Sequence, residues 1–173
     1  MPNWIKTIVT INTEKTDIVS KIIDFIKSES RIVDFNKIIQ MPSKVFRGDL
    51  GEEEEKVYGD NNWYKWSTNN WGTKWNAVES EIIDNKIIFE TAWACPHPVL
   101  EKLSEIFTSP TFEYIWADED TGYNCGRRSL KNGKCIIEYV PDGGSKEAYE
   151  LAFEVNPYKA DNYDFKKGKY VYR

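Results

Sequence analysis

Asn70-Trp71-Gly72-Thr73-Lys74-Trp75 is the stretch on which the reading of this chain turns. Trp63 and Trp66 stand just ahead of it, so four of the seven tryptophans fall within thirteen residues. Rings of this size bury roughly 150–250 Å² each and need a shared apolar shelter. The preferred reading is a hinge of the core. A helix from Asn61 to about Asn70, capped by Asp60, places Trp63, Trp66 and Trp71 roughly on one side. Gly72 suits the left-handed residue that closes it, and a strand starts near Trp75. The competing reading is an aromatic platform for a base or sugar ring. Lys74 is the one charge inside the block, and its stem is expected to lie over Trp71 or Trp75 rather than reach a ligand.

Upstream, Asn3 to Asn12 alternates as a strand, with Ile5, Thr7, Val9 and Ile11 on one face. Thr13 or Thr16 can cap an amphipathic helix whose inner stripe is Ile18, Val19, Ile22, Ile23 and Ile26. Arg31 to Met41 reads as a connector that makes a short edge strand or tucks under the sheet, and Pro42 ends it. Ser43 to Gly59, with Asp49 and the run Glu52, Glu53, Glu54 and Glu55, reads as an expendable acidic loop.

Downstream, strands at about Trp75–Ile83 and Lys86–Trp93 are joined by a tight turn at Asp84-Asn85. In the second, Ile87, Phe89, Thr91 and Trp93 share a face. A helix starts near Pro98, with Val99, Leu100, Leu103, Ile106 and Phe107 inward. Thr111–Asp118 is a strand carrying Phe112, Tyr114 and Trp116 on one face. Asn132-Gly133 signals a hairpin into Lys134–Val140. Ser145 caps a last helix with Ala148, Leu151, Ala152 and Val155 inward, and Pro157 stops it. The expected domain is residues 1–157, followed by a basic, tyrosine-rich tail over 158–173 with no clear period.

The 173 residues, 40% of them hydrophobic, support one compact domain with a core. A net charge of −5 argues against a general duplex-DNA binder, which needs a basic face for the phosphates. Met1 to Lys6 does not open a signal peptide, and no stretch approaches the ~18–20 apolar residues of a membrane span. Three cysteines without a C-x-x-C pair point to reduced thiols, a cytoplasmic setting and no iron–sulfur or zinc site.

The chemistry-bearing residues are sparse. His97, the only histidine, lies between two prolines at a helix start, where a capping or surface role outweighs catalysis. Cys95, two residues away, has nothing visible to lower its pKa. Asp118-Glu119-Asp120 with Asn124 resembles half a calcium loop but has Ser129 where the bidentate carboxylate belongs. Glu79, Glu81 and Glu90 read as solvated strand positions. No catalytic residue, metal or cofactor is expected.

The order strand–helix–(Trp helix)–strand–strand–helix–strand is the split β-α-β pattern, so the expected class is α+β, a ferredoxin-like sandwich with helices on one face of an antiparallel sheet plus a C-terminal hairpin and helix. On Met1-Pro2-Asn3-Trp4, Ile39 with Met41-Pro42, Asn70-Trp71-Gly72-Thr73-Lys74-Trp75, Phe89 with Thr91-Ala92-Trp93 and Pro96, Pro98-Val99-Leu100 with Leu103-Ser104, and Glu119 with Gly122 and Gly126, the chain resembles the Api92-like, or YubB-like, proteins of phages and plasmids. It departs in having Ile5 where cysteine is frequent and in the acidic insert, and the likeness does not extend beyond about Gly144. The resemblance implies a gene of mobile elements and carries no family-wide catalytic residues.

Two functions are therefore expected in competition. The leading one is a non-enzymatic interaction protein in a bacterial cytoplasm, binding a host or element-encoded protein or ribonucleoprotein and plausibly blocking a host defence. Its contacts would be the acidic insert or the sheet face. The alternative is a single-stranded nucleic-acid binder that uses sheet aromatics in the manner of RRM domains, together with Lys166, Lys167, Lys169 and Arg173 of the tail. Exposure of Trp93, Phe89, Phe112, Tyr114 and Trp116 discriminates between them.

Overall fold

A computed structural model describes residues 1–173. Its central strand is β1, Trp4–Asn12, in which Ile5, Thr7, Val9 and Ile11 are buried while their neighbours are not. Period-two alternation of β-branched residues produces this, because successive side chains leave a strand on opposite faces. β1 pairs antiparallel with β3 (Lys86–Ala92) on one side and β4 (Thr111–Asp118) on the other. β2 (Val78–Ile83), β5 (Gly126–Lys131) and β6 (Lys134–Tyr139) complete a six-stranded sheet in the order β2-β3-β1-β4-β5-β6. The first four strands, with α1 (Thr16–Ile26) after β1 and α4 (His97–Ile106) after β3, form the ferredoxin-like unit. Asn132-Gly133, both at positive φ, turn the β5–β6 hairpin that lengthens it.

One sheet face carries the main core. Ile22 and Ile26 of α1 and Val99, Leu100 and Leu103 of α4 are buried over Val9, Phe89, Phe112, Tyr114 and Trp116. Each fully buried phenylalanine contributes about 1.5–3 kcal/mol of transfer free energy. Trp116 lies flat because its partner in register is Gly126, where a Cβ would stand 2.5 Å from the indole. These four sheet rings are buried, so the expected base-stacking use of sheet aromatics fails: the helices cover the face on which they stand. Trp93 does not share it.

The C-terminal helix α5 (Lys146–Val155), capped by the Ser145 hydroxyl as expected, covers the opposite face. Ala148, Leu151, Ala152 and Val155 pack there with Ala117, Cys125, Ile8 and Ile115. The ferredoxin-like unit keeps its helices on one face, and the appended helix gives the sheet a second layer.

The connector takes the tucked form. Val33, Phe35 and Ile38 are buried around a 3₁₀ turn at Phe35–Lys37, and no edge strand forms. Asn76 accounts for the late start of β2. Its Oδ1 accepts from the amides of Phe35 (2.9 Å) and Ala77 (2.9 Å), and its Nδ2 donates to Asp34 (2.8 Å), which ties this chain to the connector rather than to a ladder.

The acidic segment is not a free loop. Glu52–Tyr58 forms the helix α2, whose four glutamates occupy the first turn where the helix dipole favours negative charge. No residue of α2 is buried, but Tyr58 stacks on Phe46 at 4.0 Å between centroids. Arg47 donates to the carbonyls of Met41, Pro42, Ser43 and Val45 and fixes the preceding turn. α3 then spans Trp63–Asn70, capped by Asn62, whose Oδ1 accepts from the Lys65 amide, and not by Asp60. The helix α1 likewise starts without a side-chain cap; Thr13 instead accepts from the Lys15 amide just before it.

The tail is regular. β7 (Tyr163–Lys166) and β8 (Lys169–Tyr172) form a hairpin whose Tyr163 and Tyr170 pack on Tyr149 and Phe153 of α5. No helix is long and apolar enough to cross a membrane.

Candidate functional site

The Trp-rich block divides between core and surface. Trp71 is 4% exposed, donates its indole N–H to the Ile39 carbonyl at 2.9 Å, and meets Phe35 and Trp66 edge-on. Trp66 and Trp63 are half-buried against the same core, and Trp63 Nε1 donates to the Gly48 carbonyl. The Asn70 side chain donates to the Trp66 carbonyl at 2.9 Å. Gly72 sits at φ +75, as a helix-closing glycine should, and an added Cβ would come within 2.9 Å of Pro98.

Trp93 behaves differently. It is 45% exposed and held at φ +69, a conformation that bulky L residues avoid. The Ala94 amide donates to the Ala92 carbonyl at 2.9 Å across it, closing a three-residue turn of the strained hand. Strain of this kind persists only where the surroundings over-determine it. Here the Thr73 hydroxyl donates to the Ala92 carbonyl at 2.7 Å, and the Thr91 hydroxyl donates to the Ala94 carbonyl at 2.8 Å. The Trp93 amide donates to the Asn3 carbonyl at 2.9 Å, and Asn124 Nδ2 donates to the Trp93 carbonyl at 3.2 Å. Three remote segments, around Asn3, Thr73 and Asn124, thus converge on Thr91-Ala92-Trp93 to present one indole to water.

Lys74 completes this surface. Its ammonium lies 4.4 Å from the Trp75 ring centroid, 4.6 Å from that of Trp93 and 6.0 Å from that of Tyr64. Trp4 packs on Trp75 at 6.0 Å, and Tyr64 meets Trp93 edge-on at 6.4 Å. The ammonium lies over Trp75, one of the two rings expected, and over Trp93 as well. The Lys74 side chain makes no ion pair with a carboxylate, so attraction to the ring faces positions its charge.

Burial pushes the Cys95 thiol up to about 12, and the Thr7 hydroxyl is 3.6 Å from its sulfur, so it stays a protonated thiol at neutral pH. Burial, then the nearby Arg128 charge, lowers the His97 pKa to about 4, and its Nδ1 shares a 2.7 Å hydrogen bond with the Tyr114 hydroxyl. Arg128 is paired with Glu101 and Glu138. The Asp118 carboxylate is buried and accepts from Asn3, the Asp120 amide and Asn124, which makes it the brace of a turn. Burial raises the Glu90 pKa, with Glu79 and Glu119 adding to it. No three His, Cys, Asp or Glu side chains cluster as a metal site.

The other predicted binding residues lie apart from this surface. Glu52, Glu53, Glu54 and Glu55 stand on α2, with Asp49 exposed just before it. In the tail, Lys166 pairs with Asp164 at 3.0 Å and Arg173 pairs with the same carboxylate at 2.8 Å, whereas Lys167 and Lys169 stay exposed at the hairpin tip. The strained turn at Trp93 escaped sequence reasoning, because strand alternation continued through it. The break at Cys95-Pro96 was the only signal nearby.

Residues 65–161, more than half of the chain, match the family model described as the ferredoxin-like domain in Api92-like protein. The chain belongs to the Api92-like family. The match starts inside α3 and runs past α5, so it includes the C-terminal helix that the quoted sequence likeness stopped short of, and leaves β1 and α1 outside although β1 is the sheet's central strand. Searches of curated proteins and of solved structures returned no match. In this Api92-like chain the Trp93 surface draws Tyr64 from just before the matched segment, Lys74, Trp75 and Trp93 from within it, and Asn3 and Trp4 from the N-terminus.

Proposed function

We propose that this chain is a non-enzymatic interaction protein of a phage or plasmid that works in the bacterial cytoplasm. It binds a host or element-encoded protein or ribonucleoprotein through the surface centred on Trp93, and interference with a host defence system is the use that best fits a small mobile-element product. The observation that carries this reading is Trp93 itself: a large ring, half open to water, held in a strained turn by hydrogen bonds from three segments. The backbone strain and the exposed half of the ring cost stability that full burial in an ordinary strand would not, and tryptophan is enriched among the residues that dominate binding interfaces. The non-enzymatic part is supported by the state of the reactive groups, with Cys95 a buried thiol and His97 a half-buried neutral imidazole. The exposed acidic helix α2 is the second contact candidate, suited to a basic partner.

Affinity capture from host cells tests the reading, with protein and nucleic acid scored separately for the parent chain and Trp93→Ala. The expected result is a partner retained by the parent and lost from the variant. Identical retention by both would refute the assignment of this surface.

A further inference from the structure

The Lys74 ammonium is held on this surface without a carboxylate partner. Eight other cationic side chains pair with carboxylates: Lys21, Lys27, Lys102, Arg127, Arg128, Lys146, Lys166 and Arg173. Lys74 is held instead by the faces of Trp75 and Trp93, at 4.4 and 4.6 Å, with no acceptor for its N–H donors within the chain. Ring faces attract a cation without using up its hydrogen-bonding directions. The arrangement therefore leaves a fixed positive charge, its donors free, beside an indole that is 45% exposed.

A ligand that satisfies both parts carries a flat ring for Trp93 and an anion for Lys74, separated by a short linker. We propose that Trp93 and Lys74 form a nucleotide subsite, with the base stacked on the indole and the phosphate on the ammonium. Stacking on an aromatic side chain is tolerant of base identity, because every base has a π-face, and a lysine serves phosphate as a point charge. This inference rests on the reading of the Trp93 surface as a binding surface and names the chemistry that meets it. The net charge of −5 disfavours a long backbone track. A single unpaired nucleotide, free or within a strand, fits better than a duplex, whose bases offer no open face.

Tryptophan-fluorescence titration of the full chain with 5′-AMP, adenosine, inorganic phosphate and a short oligoadenylate tests this. AMP and the oligoadenylate quench and saturate, adenosine binds about tenfold more weakly, and phosphate alone does not quench. A preference for the oligoadenylate over AMP assigns the ligand to a strand, and equal affinity assigns it to a free nucleotide. Trp93→Ala and Lys74→Gln each weaken AMP binding about tenfold or more, while Trp93→Phe retains most of it. Thermal midpoints for all three variants separate lost binding from lost folding, and Lys74→Gln, which removes no ring, keeps the test valid if Trp93→Ala unfolds. Equal affinity for adenosine and AMP, or no effect of Lys74→Gln, overturns the phosphate assignment. No quenching by AMP or the oligoadenylate overturns the proposal as a whole. In that case Trp93-dependent capture of a protein would still support the interaction reading, so the two fail separately.

Discussion

Replacing Trp93 by glycine and, separately, by alanine isolates the strain at the site. Both changes remove the same ring. Slightly over half of the indole surface is buried, which at ~25 cal/mol per Å² is about 2–3 kcal/mol, and the contact with Lys74 adds about 0.5–1 kcal/mol. Alanine at this position is expected to cost about 2–4 kcal/mol. Glycine differs from alanine only in its backbone. At an ordinary position glycine is the less stable by about 0.5–1 kcal/mol, because it gains more freedom on unfolding. At φ +69 the order inverts, since an L side chain in the left-handed region costs about 1–2 kcal/mol that glycine does not incur. Trp93→Gly should therefore be more stable than Trp93→Ala by about 0.5–1 kcal/mol. Urea denaturation with a common m value reads the difference from the two midpoints. If alanine proves the more stable, the turn is not strained in solution, and the central argument for Trp93 as a functional residue falls.

Three further outcomes follow from the packing and the titrating groups. Trp71→Ala removes a buried ring and leaves the Ile39 carbonyl without its indole donor, so stability should fall by about 3–5 kcal/mol and the thermal midpoint with it; an unchanged midpoint would show that Trp71 is not in the core. Deleting Asp49–Glu55 removes most of α2, of which nothing is buried, and should cost less than about 2 kcal/mol, chiefly through the Phe46–Tyr58 stack; a loss equal to that of Trp71→Ala would mean the segment is packed. His97 is held neutral in the fold, with its pKa lowered to about 4, so the unfolded chain takes up its proton first as pH falls. The stability present above pH ~6.5 is then lost progressively down to about 4, at up to ~1.4 kcal/mol per pH unit. Denaturant midpoints across that window should show a slope that His97→Gln removes, and an equal slope in the variant would place the titration elsewhere.

How far the fold was legible differs by element. Where one face of a strand or helix is buried, the pattern of apolar residues states it directly. β1, β3, β4, α1, α4 and α5 therefore appear with most of the inward residues their periodicity assigns; the exceptions stand at or near element ends, Ile106 of α4 at 40% exposed and Trp93 beyond β3, together with Ile23 of α1, which joins neither core cluster. Gly72 and the Asn132-Gly133 turn were legible too, because positive φ restricts the residues that can occupy it. The acidic segment was read as a loop because a helix with nothing buried leaves no apolar stripe. It forms through the charge–dipole match of its first turn and the neighbouring Arg47-braced turn.

The candidate site was legible only in part. The sequence placed Lys74 against Trp75 but missed its second ring, Trp93, and it set Trp93 on the same strand face as Phe89. Both errors have one cause: alternation is a local rule, and the turn that reverses it is imposed from Thr73 and Asn3, remote in sequence.

By itself, then, the sequence determined the class of the chain: an antiparallel sheet with amphipathic helices, a core rich in rings and a membership visible in its motif blocks. These follow from periodicity and composition, which act over a few residues. The tertiary structure alone decided which tryptophan is buried and which is displayed. It also decided that the sheet aromatics are closed to ligands and that α5 shields the second face. Those outcomes depend on hydrogen bonds and contacts between residues tens of positions apart, such as Thr73 with Ala92 and Asn3 with Trp93, which no local pattern encodes.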